Sequence, residues 1–287
     1  MYPNQFAYHR PTSVQEAVRL LGADPEAKVM AGGHSLLPAM KLRLANPSAI
    51  VDIGRIGGLR GITVKGDGSV IIGALTTYQD LLDSTELRQS YPIVAETANV
   101  VGDPQVRVRG TIGGSLAHAD PAADFTAVML ALNCEVTAAG PNGESLIGID
   151  DLFVGLLTTS LNADEIITAI RLPSAAGRKV GQAYEKHAHP ASGYAVVGVA
   201  AVLDLDGGTI RSARIAVTGA PDKATRATAA EQALAGKPAT ADAIAQAAAQ
   251  ATQGLGELNG DTYASAEYRG HLVRVLTRRA LTRAAGI

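Results

Sequence analysis

Ala31-Gly32-Gly33-His34-Ser35-Leu36 and Arg109-Gly110-Thr111-Ile112-Gly113-Gly114-Ser115-Leu116 are the two stretches that decide the fold. Each borders an apolar segment, and each lacks side-chain bulk where a ligand could lie against the main chain. Glycine permits that close approach and presents N–H groups as anion donors. Two such loops can grip the two ends of one diphosphate. The first leaves Lys28-Val29-Met30, read as a strand, and enters Leu36–Leu44, read as a helix whose N-terminus favours phosphate oxygens. Ser35 adds a hydroxyl, and His34 either meets a ligand or packs. The second loop offers the hydroxyls of Thr111 and Ser115. Gly-x-Gly-x-x-Gly is absent from both, so this is not a standard dinucleotide fingerprint.

Around the first loop the pattern is βαβ-like. Ser13 and Glu16 suit a helix start, Val14, Ala17, Val18 and Leu21 follow at helical spacing, and Ala49–Ile53 reads as a strand. From Leu59 onward the pattern changes. Gly61–Val64 and Ser69–Gly73 flank a Lys65-Gly66-Asp67-Gly68 turn, and Cys134–Ala138 and Ser145–Gly148 flank Gly140-Pro141-Asn142-Gly143. Helices are expected over Thr77–Asp83, Ile93–Val100 and Asp124–Ala131, with a short one opening at Asp150 and Asp151. Glu165–Ile170 reads as the closing strand. Beyond the small-residue linker Ser174–Arg178, Tyr194–Asp204 and Ile210–Val217 read as a hairpin. Thr225–Leu234, Ala241–Gln250 and Tyr268–Ala284 read as helices. No internal repeat is visible. The organisation is α+β, with units at residues 1–57, 58–175 and 178–287.

The 287 residues suffice for two or three packed units, and 47% of them are hydrophobic. Aromatics are 4%, Trp is absent and the formal charge is −2, which argues against a nucleic-acid platform. The single cysteine, Cys134, lies in an apolar stretch and reads as a buried small hydrophobe; alone it holds neither an iron–sulfur cluster nor a zinc ion. The N-terminus shows no basic region followed by an apolar core, and the longest apolar run, Tyr194–Leu203, is too short to span a bilayer. The expectation is a cytoplasmic protein, touching a membrane only through partners.

Asp120 and Asp124 stand four residues apart near a helix start. Asp120 is expected to cap it, and Asp124 is free to accept from a ribose hydroxyl. No nucleophile accompanies them as an acid/base pair would require, and no residue is assigned a catalytic role. His118 lacks a partner at ligand spacing, and His187 and His189 do not complete a metal site. Lys186 reads as a strand lysine able to place a positive charge near an anionic ligand. Arg269, Arg274, Arg278, Arg279 and Arg283 read as a solvated helix face.

Taken together, Phe6-Ala7-Tyr8-His9-Arg10-Pro11, the first loop through Leu37-Pro38, Lys41-Leu42-Arg43-Leu44, the second loop through Ala117-His118, and Tyr184-Glu185-Lys186 resemble one family in order and spacing. It is that of the FAD-binding medium subunits of molybdenum hydroxylases, of the aerobic carbon monoxide dehydrogenase type. The resemblance covers essentially the whole chain. It implies a two-part FAD-binding domain of the PCMH/vanillyl-alcohol-oxidase-like type, then a C-terminal α+β domain of the carbon monoxide dehydrogenase flavoprotein type. It implies that Gly32, Gly33, His34, Ser35 and Leu36, with Thr111, Ile112, Gly113, Gly114 and Ser115, contact the FAD diphosphate. Asp124, Leu161, Lys186 and Tyr194 match positions at the cofactor, the last three near the flavin ring or its approach.

The resemblance also implies a large partner subunit with a molybdopterin-type molybdenum cofactor and a small one with two [2Fe–2S] clusters. Together these form a dimer of heterotrimers that passes electrons to an external acceptor. The segment His187-Ala188-His189-Pro190-Ala191-Ser192-Gly193-Tyr194 departs from the more basic stretch of the carbon monoxide enzymes and looks more like relatives acting on N-heterocycles or other organic substrates. A free-standing flavin reductase and a non-catalytic nucleotide-binding module are the competing classes.

Overall fold

The computed structural model describes residues 2–287. It opens with β1 (Ala7–His9), α1 (Val14–Ala23), β2 (Lys28–Met30), α2 (Leu36–Lys41) and β3 (Ala49–Asp52). The strands pair in parallel in the order β1-β3-β2. Ser13 caps α1 by accepting from the Glu16 N–H, and Ala17, Val18 and Leu21 form a core with Val51. The second helix stops at Lys41 rather than the expected Leu44. Arg43 takes a left-handed φ of 64°, which turns the chain out of the helix.

Next come β4 (Ile62–Val64), β5 (Val70–Gly73), α3 (Tyr78–Asp83), α4 (Thr85–Ser90), α5 (Pro92–Val100), α6 (Pro104–Arg107), α7 (Ile112–His118) and α8 (Asp124–Leu132). They are followed by β6 (Glu135–Gly140), β7 (Gly143–Gly148), α9 (Ile149–Leu152), the small ladder of β8 (Phe153–Gly155) with β9 (Thr158–Thr159), and β10 (Ile166–Leu172). The five main strands form an antiparallel sheet in the order β4-β5-β10-β6-β7. The hairpins match the turns read from sequence. Three helices do not, and α7 matters most, because it occupies what reads as an open glycine loop. Thr111 caps it by accepting from the Gly114 N–H. Glycine weakens a helix by about 1 kcal/mol against alanine, which hides the element from pattern reading. Packing demands the residue: a Cβ on Gly113 would stand 2.5 Å from the Ala74 Cβ.

Every residue of α8 is buried: from Ala127 onward its sequence is wholly apolar, and Asp124 and Thr126 are the polar residues near its start. Cys134, just beyond it, packs in the same core, and burial pushes its thiol far above its ordinary value.

The last unit comprises β11 (Lys179–Ala188), β12 (Ala195–Asp206), β13 (Thr209–Thr218), β14 (Thr225–Arg226), α10 (Thr228–Leu234), β15 (Lys237–Pro238), α11 (Ala241–Ala249) and α12 (Ala266–Ala285). Its antiparallel sheet runs β11-β12-β13-β14, with β15 also on β13. Thr225 and Arg226, expected inside a helix, form an edge strand instead, and Arg226 forms ion pairs with Glu231 and Asp150. Alternation along the strands divides the sheet's faces. Ala200, Val202 and Ala216 join the core around α8, while Val199, Ala201, Leu203, Ile215 and Val217 join the core of α10, α11 and α12. Among the described residues, no helix is long and apolar enough to cross a membrane.

Candidate functional site

The two glycine stretches, remote in sequence, touch. A Cβ on Gly32 would stand 2.0 Å from the Arg109 carbonyl oxygen, and one on Gly114 would stand 3.8 Å from the Ala31 Cβ. Gly33 turns the first loop with a φ of 77°. Among the described residues, the N–H groups of Gly32, Gly33, His34 and Ser35 donate to no protein acceptor. Ser35 stands at the N-cap of α2, yet its hydroxyl caps nothing. The His34 ring folds back, its Nδ1 donating to the Gly32 carbonyl at 3.1 Å. A run of main-chain donors at a strand-to-helix turn is an anion cradle.

The second stretch is built differently. The Ile112 and Gly113 N–H groups donate to Thr76 O (3.0 Å) and Ala74 O (2.9 Å). Gly114 donates to Thr111 Oγ1 at 3.2 Å, and Ser115 to Thr111 O at 3.0 Å. These donors hold α7 against the segment between β5 and α3. The stretch therefore adds hydroxyls and a close-packed wall rather than a second row of free N–H groups.

From α7 the site continues inward. The Tyr78 ring stacks on Phe125 at a centroid distance of 5.2 Å. Burial pushes the Tyr78 hydroxyl up to about 12. Beside Phe125, the first residue of α8 is Asp124, a carboxylate at the head of a wholly buried helix. Lys186 Nζ lies 2.9 Å from Asp124 Oδ2, and both side chains are only 6% exposed. Lys186 also donates to Val100 O at 3.1 Å, and the Tyr184 hydroxyl donates to Asp124 Oδ1 at 2.5 Å. Burial raises the Asp124 carboxyl above its ordinary value, opposed by Lys186 and by the Tyr184 hydrogen bond. Burial, reinforced by Asp124, raises the Tyr184 phenol well above its ordinary value.

Tyr194 begins the return from the turn after β11 and is 45% exposed. Its hydroxyl is raised by burial and by the charges of Asp120 and Asp124. Leu161 is half-buried against the core that contains Ile112 and Leu116. The sequence-expected residues thus divide into the touching loops, an Asp124–Lys186 pair adjacent in chain to Phe125, on which Tyr78 stacks, Tyr194 at the edge, and Leu161 against the middle core. Tyr78 carries no sequence signal of its own. Tyr184 does, since two residues separated by one on a strand share a face.

Other expectations resolve differently. Asp120 accepts from the Ala122 N–H at 2.8 Å in a local turn, and the N-cap of α8 is Ala123. His118 Nε2 lies 3.9 Å from Asp120 Oδ2, and no metal-holding cluster occurs among the described residues. His187 and His189 pack against Tyr263, at ring-centroid distances of 6.4 and 4.6 Å. Of the α12 arginines, Arg269 is buried rather than solvated, and Arg283, though exposed, is ion-paired. Arg269 is buried and donates to Val196 O (2.6 Å) and Gly219 O (2.8 Å), and Arg283 pairs with Glu96 and Glu185.

Comparison with known proteins gives the family. The family model described as the FAD binding domain in molybdopterin dehydrogenase matches residues 4–175, and that of the CO dehydrogenase flavoprotein C-terminal domain matches residues 182–284. The carbon monoxide dehydrogenase medium chain of Hydrogenophaga pseudoflava is 41% identical over 285 residues, covering 99% of this chain and 98% of that protein. The nicotine 6-hydroxylase medium subunit of Paenarthrobacter nicotinovorans is 40% identical, with 96% of each chain covered. A solved structure of carbon monoxide dehydrogenase from Hydrogenophaga pseudoflava superposes with a TM-score of 0.95 at 43% identity, covering 99% of this chain and 98% of that one. This chain belongs to the FAD-binding medium subunits of the molybdenum hydroxylases, in the xanthine dehydrogenase family.

Proposed function

We propose that this chain is the FAD-carrying electron-transfer subunit of a molybdenum-containing dehydrogenase of the carbon monoxide dehydrogenase type. Its three units fall at residues 1–57, 58–175 and 178–287. The observation that carries the reading is the contact between the two glycine stretches, with undonated N–H groups on one side of it. In this reading Gly32, Gly33, His34, Ser35 and Leu36 bind the diphosphate through main-chain donors and the Ser35 hydroxyl. Thr111, Ile112, Gly113, Gly114 and Ser115 close the other wall. Asp124 and Lys186 orient the flavin half, with Leu161 and Tyr194 flanking it.

FAD held by these residues would supply the redox chemistry between the [2Fe–2S] clusters of a small partner and an external acceptor. The chain's own residues bind and orient the cofactor and shape the charge around it. The Lys186 ammonium has three N–H groups, two of them used by Asp124 and Val100. The third is available to a ligand. A fixed cation there stabilises negative charge gained on reduction. The assembly is a dimer of heterotrimers with a large molybdenum-cofactor subunit, and any membrane association runs through partners.

Hydroxylation of an N-heterocycle or an aldehyde is the second reading of the complex. The nicotine 6-hydroxylase relative at 40% identity and the His187–Tyr194 segment favour it. The native complex, purified and analysed by visible spectroscopy and for metals, tests the proposal. Flavin with molybdenum and about four irons per flavin is the expected result; flavin without metals points to a free-standing flavoenzyme. Anaerobic bleaching by carbon monoxide, set against bleaching by N-heterocycles and aldehydes, then separates the substrates.

A further inference from the structure

Tyr184 and Lys186 stand two apart on β11 and both reach one carboxylate, Asp124, from the sheet face that α8 covers. The opposite strand is shaped for this. Gly198 pairs with Lys186 in the ladder, and a Cβ there would stand 2.2 Å from the Tyr184 hydroxyl oxygen. The phenol is fully buried beside the carboxylate, and Asp124 is its hydrogen-bond acceptor. The carboxylate's two oxygens are thereby divided, one to a neutral donor and one to the ammonium. A neutral donor on Oδ1 spreads the negative charge that would otherwise concentrate toward Lys186.

We infer that Tyr184 is a positioning residue of the cofactor site: through Asp124 it fixes the Lys186 ammonium so that the free N–H and the positive charge act on the bound flavin. This rests on Lys186 facing the flavin, as proposed above. Without the phenol hydroxyl, Asp124 keeps its full charge beside Lys186 and cancels more of the ammonium's field. Reduction of the cofactor is then less favoured.

The test is a redox titration of the flavin in the holo-complex, with flavin content measured in parallel, for Tyr184→Phe, Lys186→Met and the double variant. The expected result is a lower midpoint potential in Tyr184→Phe with flavin retained, and a larger drop in Lys186→Met. The double variant should match Lys186→Met alone, because a residue acting through another adds nothing once that other is gone. Gly198→Ala, which pushes the phenol aside without removing it, should reproduce the Tyr184→Phe shift. Additive shifts, a wild-type potential in Tyr184→Phe while Lys186→Met moves, or flavin loss confined to Tyr184→Phe would each overturn the role of Tyr184. An unmoved potential in both single variants overturns instead the placement of Lys186 at the flavin.

Discussion

Gly32 has the least latitude of any position in the first loop. Its missing side chain lets the loop lie against the Arg109 carbonyl, where any Cβ would sit at 2.0 Å. The obstacle is backbone, so rotamer adjustment cannot relieve it. Gly32→Ala must separate the two stretches and disturb the N–H groups that follow. We expect it to cost about 1–3 kcal/mol in stability, as overpacking does. Flavin affinity should fall by at least about tenfold, about 1.4 kcal/mol. Denaturant unfolding of the apo chain and FAD titration measure the two separately. Ser35→Ala, which removes a hydroxyl that caps nothing, should weaken FAD binding with unfolding unchanged. Both residues were visible in the sequence as chemistry. The 2.0 Å approach between the loops was not, because it depends on a contact across the whole of α3, α4, α5 and α6.

Elements show the same division between local and long-range signals. The caps are local: Ser13 with α1, and Thr77 with α3, are written within four residues. So are the three hairpin turns. Helix α7 escaped because Gly113 answers to Ala74 and not to its neighbours in sequence. The Asp124–Lys186 pair escaped as a pair because it joins the head of α8 to β11 across most of the chain's middle. Helix α3 gives a pH-dependent prediction. Asp80 completes the capping box with Thr77 and takes both Arg60 Nε and Arg60 NH2 at 2.8 Å. Partial burial raises its carboxyl, but the Arg60 and Thr77 hydrogen bonds outweigh that and hold it below the ordinary value. A carboxyl lowered in the folded state stabilises above its unfolded value, about pH 4, and loses that contribution as pH falls through its folded value. Asp80→Ala should therefore cost about 1–2 kcal/mol at neutral pH. The gap from wild type should narrow as pH drops below about 4. Urea unfolding at several pH values reads this directly, and a gap constant with pH would exclude the ionised cap as its origin.

The matched family models meet near the Ser174–Arg178 linker, yet the two parts they describe share a core through α8. Strand β13 holds that helix at both ends. Thr218 Oγ1 donates to Pro121 O and Ala123 O just before Asp124, and the Gly219 N–H donates to Pro121 O. Four residues back on the same face of the strand, Arg214 donates through Nε (3.0 Å) and NH2 (2.8 Å) to Leu130 O in the last turn of α8. The cofactor-binding carboxylate proposed above thus sits on a helix whose position is set by the other half of the chain. Unfolding the C-terminal sheet would release α8 and with it the Asp124–Lys186 pair. Two consequences follow for the isolated full-length chain. Calorimetry should show one transition whose van't Hoff and calorimetric enthalpies agree. Arg214→Ala with Thr218→Val should break that agreement, because it loosens the side-chain hold on both ends of α8, leaving only the Gly219 N–H to Pro121 O bond from β13's end, while the cores of the FAD-binding part and of α10, α11 and α12 stay intact. Pro121 O, Ala123 O and Leu130 O each keep one other donor, from Gly219, Thr126 and Asn133, so each lost hydrogen bond should cost about 0.5–1.5 kcal/mol. The double variant should therefore melt first in the C-terminal part and lose FAD in that first step. Two resolved transitions already present in wild type would show instead that the linker separates independent domains, and that the clamp on α8 positions the site without coupling its stability.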